Sequence, residues 1–278
     1  MVDTLPDQAR KGRGAVGNAA GRFDARDRVR TDDGWWQEKE FAEQWVTDLK
    51  PDASRTILTR NTSPDIPFDR SINPYKGCEH GCIYCFARPT HSYLSLSPAL
   101  NFETKKFFKS VGAAFLEKEL RKPGHQCAPI ALGVNTDAYQ PAEKELGVTR
   151  DILQVLRDYQ HPVSIITKSA RILRDLDLLA PLAAKNLAHV MISITTLDPA
   201  LARVMEPRAS APANRLKAME ALNKAGVPTG LLASPMIPAL NDMELEAILA
   251  AAADIGVVQA GYIFLRLPNE LNELFEDW

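Results

Sequence analysis

Long apolar runs are missing from this 278-residue chain. No stretch approaches the roughly 20 residues that cross a bilayer, so no membrane span is expected. Residues 1–30 are polar and lack the apolar core of a secretory signal, which makes the cytoplasm the expected location. Neither sign of charge dominates: Lys and Arg number 33 against 35 Asp and Glu, a net charge of −2. That balance argues neither for nor against an anionic partner. The five histidines, His80, His91, His125, His161 and His189, are scattered, and no nucleophile–base arrangement is legible among them. The Gly-x-Gly-x-x-Gly fingerprint after a first strand is absent too, which argues against a dinucleotide fold. Cysteine is scarce, at four residues, and a chain kept in a reducing compartment has little use for disulfides.

Three of those four cysteines nevertheless crowd into one short segment, Gly77-Cys78-Glu79-His80-Gly81-Cys82-Ile83-Tyr84-Cys85. The spacing is Cys-x3-Cys-x2-Cys. Three soft thiolates in one loop suit a metal or an iron–sulfur cluster better than a core. A cubane has four irons, so three thiolates leave one iron for a non-protein ligand. Cys127 stands apart, and with nothing nearby to activate it, it is expected to be a buried core thiol.

With 45% hydrophobic residues the chain is long enough for one large core. Residues 1–65 read as an extension and 66–278 as the main body. In the extension, residues 8–30 form a basic arm with Arg10, Lys11, Arg13, Arg22, Arg26, Arg28 and Arg30. It is either a solvated tail or strap, or a nucleic-acid contact. Residues 38–49 read as a short helix. In the body, short β-branched runs at 71–75, 130–135, 163–167, 189–196, 229–234 and 259–265 read as buried strands. Between them 111–121, 150–159, 170–184, 214–225 and 242–255 read as helices, with Thr149 and the Asn241-Asp242 pair as N-caps. Gly226-Val227-Pro228 marks the stop of the fourth. Residues 101–109 suggest an additional strand. Alternation of this kind implies right-handed crossovers and a parallel sheet, either open or bent into a partial barrel.

Sites in such folds lie at the C-terminal ends of the strands, and the cysteine loop follows the first strand. The other strand ends carry polar groups: Thr136 and Asp137; Lys168 and Ser169; Ser193, Thr195 and Thr196; Ser234; Arg266. Lys168 is suited to a carboxylate, and Thr136 and Ser193 to a ligand carboxylate or ribose. Asp137 is suited to an ammonium or hydroxyl. Tyr84 offers a flat face or its backbone to a purine, or a cover over the cysteines.

These residues together resemble the radical S-adenosylmethionine (SAM) superfamily over about 66–267. The fold implied is a partial (β/α)6 TIM-like barrel, α/β in class. The resemblance implies a [4Fe–4S] cluster on Cys78, Cys82 and Cys85, with SAM on the open iron through its amino and carboxylate groups. It also implies reductive cleavage of SAM to a 5′-deoxyadenosyl radical, fed by a flavodoxin- or ferredoxin-like electron donor. More narrowly, residues 73–78 and 85–89, Thr136-Asp137 and 167–169 are similar to an uncharacterised bacterial branch related to spore photoproduct lyase. That branch implies SAM contacts at Thr136, Lys168 and Ser193, with Asp137 and Tyr84 adjoining. It implies a C-terminal part beyond Trp278. In the lyase a cysteine at the end of the second strand returns hydrogen to the product; the matching residue here is Val134, which argues against photoproduct repair. The substrate is left open, with nucleic acid suggested only by the basic arm and the lyase.

Two other chemistries suit a cysteine trio. One is structural zinc, with His80 or His91 as a fourth ligand. The other is a ferredoxin-like electron carrier, for which Cys127 is the only further thiol. His80 itself reads as a loop residue beside the cysteines.

Overall fold

The computed structural model describes residues 12–24 and 46–278. Among the described residues, ten strands form two sheets. β1 (Asp48–Pro51), β4 (Tyr75–Lys76) and β5 (Lys105–Phe108) make a small sheet in the order β1-β5-β4. The large sheet contains β2 (Leu58–Arg60), β3 (Arg70–Ile72), β6 (Ile130–Leu132), β7 (Val163–Thr167), β8 (Ala188–Ser193), β9 (Thr229–Met236) and β10 (Ala260–Phe264). Its order is β10-β9-β8-β7-β6-β3-β2. Strands β3, β6, β7, β8, β9 and β10 are mutually parallel, and β2 is antiparallel to β3.

The helices are α1 (Leu100–Thr104), α2 (Gly112–Leu120), α3 (Glu143–Leu146), α4 (Val148–Asp158), α5 (Leu176–Ala183), α6 (Pro199–Met205), α7 (Pro212–Lys224), α8 (Leu245–Asp254) and α9 (Leu271–Asp277). Between consecutive parallel strands of the large sheet the chain passes through at least one helix. This is the repeating strand–helix unit of a partial (β/α)6 barrel, open between β10 and β2. Its central strands bury apolar residues: Ile130 and Leu132, Ile165, Val190 and Ile192, and Leu231 are all buried, whereas β10 at the edge is largely exposed. Ile152, Leu156, Leu178, Leu182, Met219, Leu222 and Ile248 cover them from α4, α5, α7 and α8. Among the described residues no helix is long and apolar enough to cross a membrane.

Of the six expected body strands, β7 has the expected bounds, four are present with shifted ends, and the first is split; several local expectations fail. Residues 71–75 form no single strand: Asn73 and Pro74 interrupt the run, and β3 and β4 enter different sheets. Residues 101–109 begin as α1 and only then become β5. Residues 38–45 lie outside the described residues, and 48–49, expected to end a helix, start β1 instead because β5 supplies their partners. Neither expected N-cap acts as one. Thr149 sits inside α4 and donates to the Ala138 carbonyl at 2.6 Å. The Asn241 side chain accepts from Ile237 N at 2.6 Å and donates to Thr195 O and Pro235 O at 2.7 and 3.0 Å. Cys127, expected in the core, is exposed, because it lies in the irregular segment before β6 rather than in the strand.

Candidate active site

The cysteine loop leaves β4 at Gly77 and runs to the 3-10 turn at Arg88–Leu94. Gly77 and Gly81 both have left-handed φ, +78° and +70°, which glycine adopts at no steric cost. These two reversals fold the segment back on itself. Cys78 N donates to Phe102 O at 3.0 Å, and Ile83 N donates to Met205 O at 3.2 Å. Cys78 and Cys82 are buried, Cys85 is half-buried, and all three thiols are free. Burial pushes the Cys78 thiol up to about 12, helped by the Asp137 carboxylate and the Cys85 thiol. It also raises Cys82, reinforced by Glu206 and the other two sulfurs and opposed by Lys168. Burial raises Cys85 too, opposed by Arg88 and Lys168. Three free thiols gathered in one mostly buried loop are a soft donor set suited to a metal centre.

The strand ends converge on this loop. Lys168, just past β7, donates from Nζ to Ser193 Oγ at 2.7 Å and to Ser234 O at 3.4 Å. The same ammonium lies 5.6 Å from the centroid of the Tyr84 ring and 3.7 Å from Glu206 Oε1. Ser193 Oγ donates to Ser234 O at 3.2 Å. One cluster of polar groups therefore joins the ends of β7, β8 and β9 to the ring that precedes Cys85. Arg266 does not join it among the described contacts; its side chain is exposed past β10.

Asp137 is a clamp. Its Oδ1 accepts from Tyr139 N and from Thr167 Oγ1, both at 2.8 Å, and its Oδ2 accepts from Lys168 N at 2.7 Å. His80 Nδ1 of the cysteine loop stands 3.4 Å from the same Oδ2. Burial works to raise the carboxyl, but the neighbouring His80 imidazole and these hydrogen bonds outweigh it and hold Asp137 at about 2. Thr136 Oγ1 donates to Tyr75 O at 2.6 Å. Both side chains thus spend their polar atoms on the end of β6, the start of the cysteine loop and the end of β7.

Glu206, Arg215 and Arg88 are the functional-site neighbours that sequence reasoning missed. Glu206 follows α6 and is 3% exposed. Its Oε1 accepts from the Tyr84 hydroxyl and from Thr195 Oγ1 at 2.7 Å, and its Oε2 pairs with Arg215. Arg215 also donates to Ser193 O at 2.9 Å and to Ser210 O at 2.6 Å. Burial works against the Glu206 carboxylate, yet Arg215 and Lys168 hold it at about 2. Arg88, fully buried, donates to Cys82 O at 2.9 Å and Gly81 O at 3.1 Å and pairs with Glu103 at 2.6 Å. Arg88 lies within 85–89, one of the segments that carry the narrower resemblance, but that resemblance assigns it no role. For Glu206 and Arg215 no pattern existed, because the turn between α6 and α7 that pairs them and the Tyr84 contact are made only on folding.

Comparison with known proteins follows the same lines. Residues 72–252, more than half of the chain, match the family model of the radical SAM superfamily. An uncharacterised protein of Mycobacterium tuberculosis is 36% identical over 215 residues, covering 77% of this chain and 63% of that protein. An uncharacterised protein of Methanocaldococcus jannaschii is 32% identical over 178 residues, 62% of each chain. The chain thus spans less than two thirds of the length of these relatives. Solved structures of spore photoproduct lyase share the fold. One variant superposes with a TM-score of 0.59 at 15% identity, covering 82% of this chain and 65% of the lyase. Another, with bound AdoMet and dinucleoside spore photoproduct, gives 0.58 at 14% identity over 82% and 64%.

Proposed function

The chain belongs to the radical SAM superfamily, and from that premise we propose that it is an enzyme holding a [4Fe–4S] cluster on Cys78, Cys82 and Cys85. When bound, the cluster and SAM supply one-electron chemistry, reductive cleavage of SAM to a 5′-deoxyadenosyl radical that attacks a C–H bond of substrate. The observation that carries the reading is the meeting of three free thiols with the Lys168–Ser193–Glu206 cluster at the C-terminal strand ends.

In this reading Lys168 and Ser193 are the direct contacts to SAM. Lys168 presents a charge to the carboxylate, and Ser193 can turn its hydroxyl from Ser234 O to the ligand. Tyr84 packs its ring beside the same space while its hydroxyl stays with Glu206. Thr136 and Asp137 act through others: Thr136 ties β6 to the residue before the loop, and Asp137 fixes the Lys168 backbone and His80. The catalytic body is residues 66–278, with 1–65 as an extension, and a small electron-transfer protein of the flavodoxin or ferredoxin kind is the reductant. Val134, two residues past β6, carries no S–H, so this chain is not proposed to complete photoproduct repair by the lyase's route.

The zinc reading has less support. A zinc ion needs its ligand atoms about 2.0–2.3 Å from one point, and no three His, Cys, Asp or Glu side chains among the described residues converge that way. Thiols on a cubane each take a different iron and need not converge. An electron carrier needs a fourth protein ligand, and exposed Cys127 has no described contact with the loop.

Anaerobic purification and reconstitution test the proposal. Four irons per chain, with 5′-deoxyadenosine formed from SAM on reduction, are expected for a single cubane. A colourless zinc protein, or a cluster whose spectrum ignores SAM, would overturn it.

A further inference from the structure

We propose that residues 12–24 are a strap that forms part of the cluster-holding structure, setting the cysteine loop through the buried Glu103–Arg88 pair. This inference rests on the cluster reading above. Nothing in the spacing of the cysteines requires a contribution from so far upstream.

The contact is built at Glu103 of α1, whose side chain is fully buried. Gly14 N donates to its Oε2 at 3.2 Å and Ala15 N to its Oε1 at 2.9 Å. Arg13 donates to the Glu103 carbonyl at 3.2 Å. On the loop side the same carboxylate pairs with Arg88, also fully buried, whose guanidinium binds the carbonyls of Gly81 and Cys82. The strap amides, one carboxylate, one guanidinium and two loop carbonyls form a continuous chain. The loop carbonyls belong to Cys82 and to the residue before it.

Packing is as close as the backbone allows. A Cβ added at Gly14 would lie 1.8 Å from Gly81 O and 3.3 Å from an Arg88 guanidinium nitrogen. Gly81 answers it: a Cβ there would meet Glu103 Oε2 at 3.1 Å and Gly14 N at 3.3 Å. Such mutual glycine contact leaves no room for water between strap and loop. The strap is also anchored beyond this point. Gly17 O accepts from Leu100 N at 3.1 Å, Asn18 Oδ1 from Asn101 N at 2.9 Å, and Ala19 O from Ser97 Oγ at 2.6 Å. At its far end Arg22 pairs with Glu270 at 3.3 Å.

A buried ion pair stays favourable only while its remaining hydrogen-bonding capacity is met. The strap meets that of Glu103. Without it, water reaches the pair, and the two loop carbonyls lose a fixed donor. The strap therefore positions Cys82 and closes one side of the loop to solvent and to small oxidants.

The test uses the full chain with Gly14→Ala, where one methyl group meets Gly81 O, and the near-isosteric Glu103→Gln. Each is reconstituted anaerobically. Iron and sulfide per chain, the decay of visible absorbance in air and the melting temperature of the apoprotein are then compared with the parent. Both variants are expected to lose the cluster about tenfold faster, the effect of about 1.4 kcal/mol at the loop, and faster than any drop in apoprotein stability accounts for. Unchanged content and decay in both variants overturn the strap inference alone. A parent chain that takes no iron overturns the cluster reading, and the strap inference with it. Where Gly14→Ala does not melt cooperatively, Glu103→Gln decides.

Discussion

The hydroxyl of Tyr84 donates to the carboxylate of Glu206, 122 residues further along the chain. The first residue belongs to the cysteine loop and the second to the turn after α6. The same carboxylate receives Thr195 from the end of β8 and faces Lys168 from the end of β7. A single buried charge thus ties the loop to two strand ends, and Arg215 of α7 balances it. Tyr84 is held by its polar end, so its ring is fixed beside the Lys168 ammonium.

Breaking that balance is expected to be costly. Glu206→Gln leaves the Arg215 guanidinium buried without a counter-charge, a loss of about 3–5 kcal/mol. Removing both charges together, as Glu206→Leu with Arg215→Met, should be milder than the single change, because two desolvated ions disappear at once. Denaturant titration of the apoprotein measures both. A double variant less stable than Glu206→Gln would contradict the assignment of this pair as a buried ion pair.

The three loop cysteines should be individually indispensable for the cluster. Cys78→Ala, Cys82→Ala and Cys85→Ala are each expected to lose bound iron after reconstitution, while Cys127→Ala keeps it, since that thiol is exposed and apart from the loop. Iron and labile-sulfide assays read the result. Full iron content in any of the first three would remove that cysteine from the ligand set.

In the proposed reading, Lys168 should separate binding of SAM from binding of the cluster. Lys168→Ala removes an ammonium whose charged hydrogen bonds contribute roughly 1.5–3 kcal/mol, and SAM affinity should fall by about tenfold to a hundredfold. The iron content should stay at the parent value, because the described hydrogen bonds of Lys168 go to Ser193, Ser234 and Asp137 and not to a cysteine. The perturbation that SAM causes in the spectrum of the reduced cluster, titrated with SAM, gives both quantities. An unchanged midpoint would show that Lys168 lies outside the SAM site.

What the sequence revealed and what it hid divide along the range of the interactions. The cysteine trio, Lys168 and Ser193 were legible because each sits at a position the alternating pattern marks as a strand end or the loop after one. β7 was read with its true bounds, since an apolar β-branched run between polar residues leaves one assignment. Asn73-Pro74 hid the break between β3 and β4, which depends on β5 pairing with the second half. Asn241 looked like a cap because caps are local, but its amide is used across the site, 46 residues back to Thr195. Glu206, Arg215 and Glu103 gave no signal, because a buried charge is explained only by partners that folding brings to it. Residues 12–24 read equally well as a free tail; backbone amides bound to Glu103 leave no trace in side-chain composition.

Asp52 gives a prediction about acid that is independent of the cluster. It follows β1, where its Oδ1 accepts from Lys76 Nζ at 2.8 Å and its Oδ2 from Lys109 Nζ at 3.2 Å. Ser54 N and Oγ donate to the same Oδ1 at 3.1 and 2.9 Å. Burial works to raise the carboxyl, but these donors prevail and hold it at about 2. A carboxylate depressed by folding contributes stability that is complete above its unfolded value, near 3.9, and is lost as pH falls toward 2. Asp52→Asn should therefore lower the melting temperature at pH 7 by about 2–4 °C, the effect of about 1 kcal/mol in a chain of this size once solvent screening of the lysines is allowed for. The difference from the parent should shrink below about pH 4 and vanish near pH 2. Melting curves of the apoprotein across that range check it, and a difference that persists unchanged at pH 2.5 would mean that Asp52 acts by packing and not by charge.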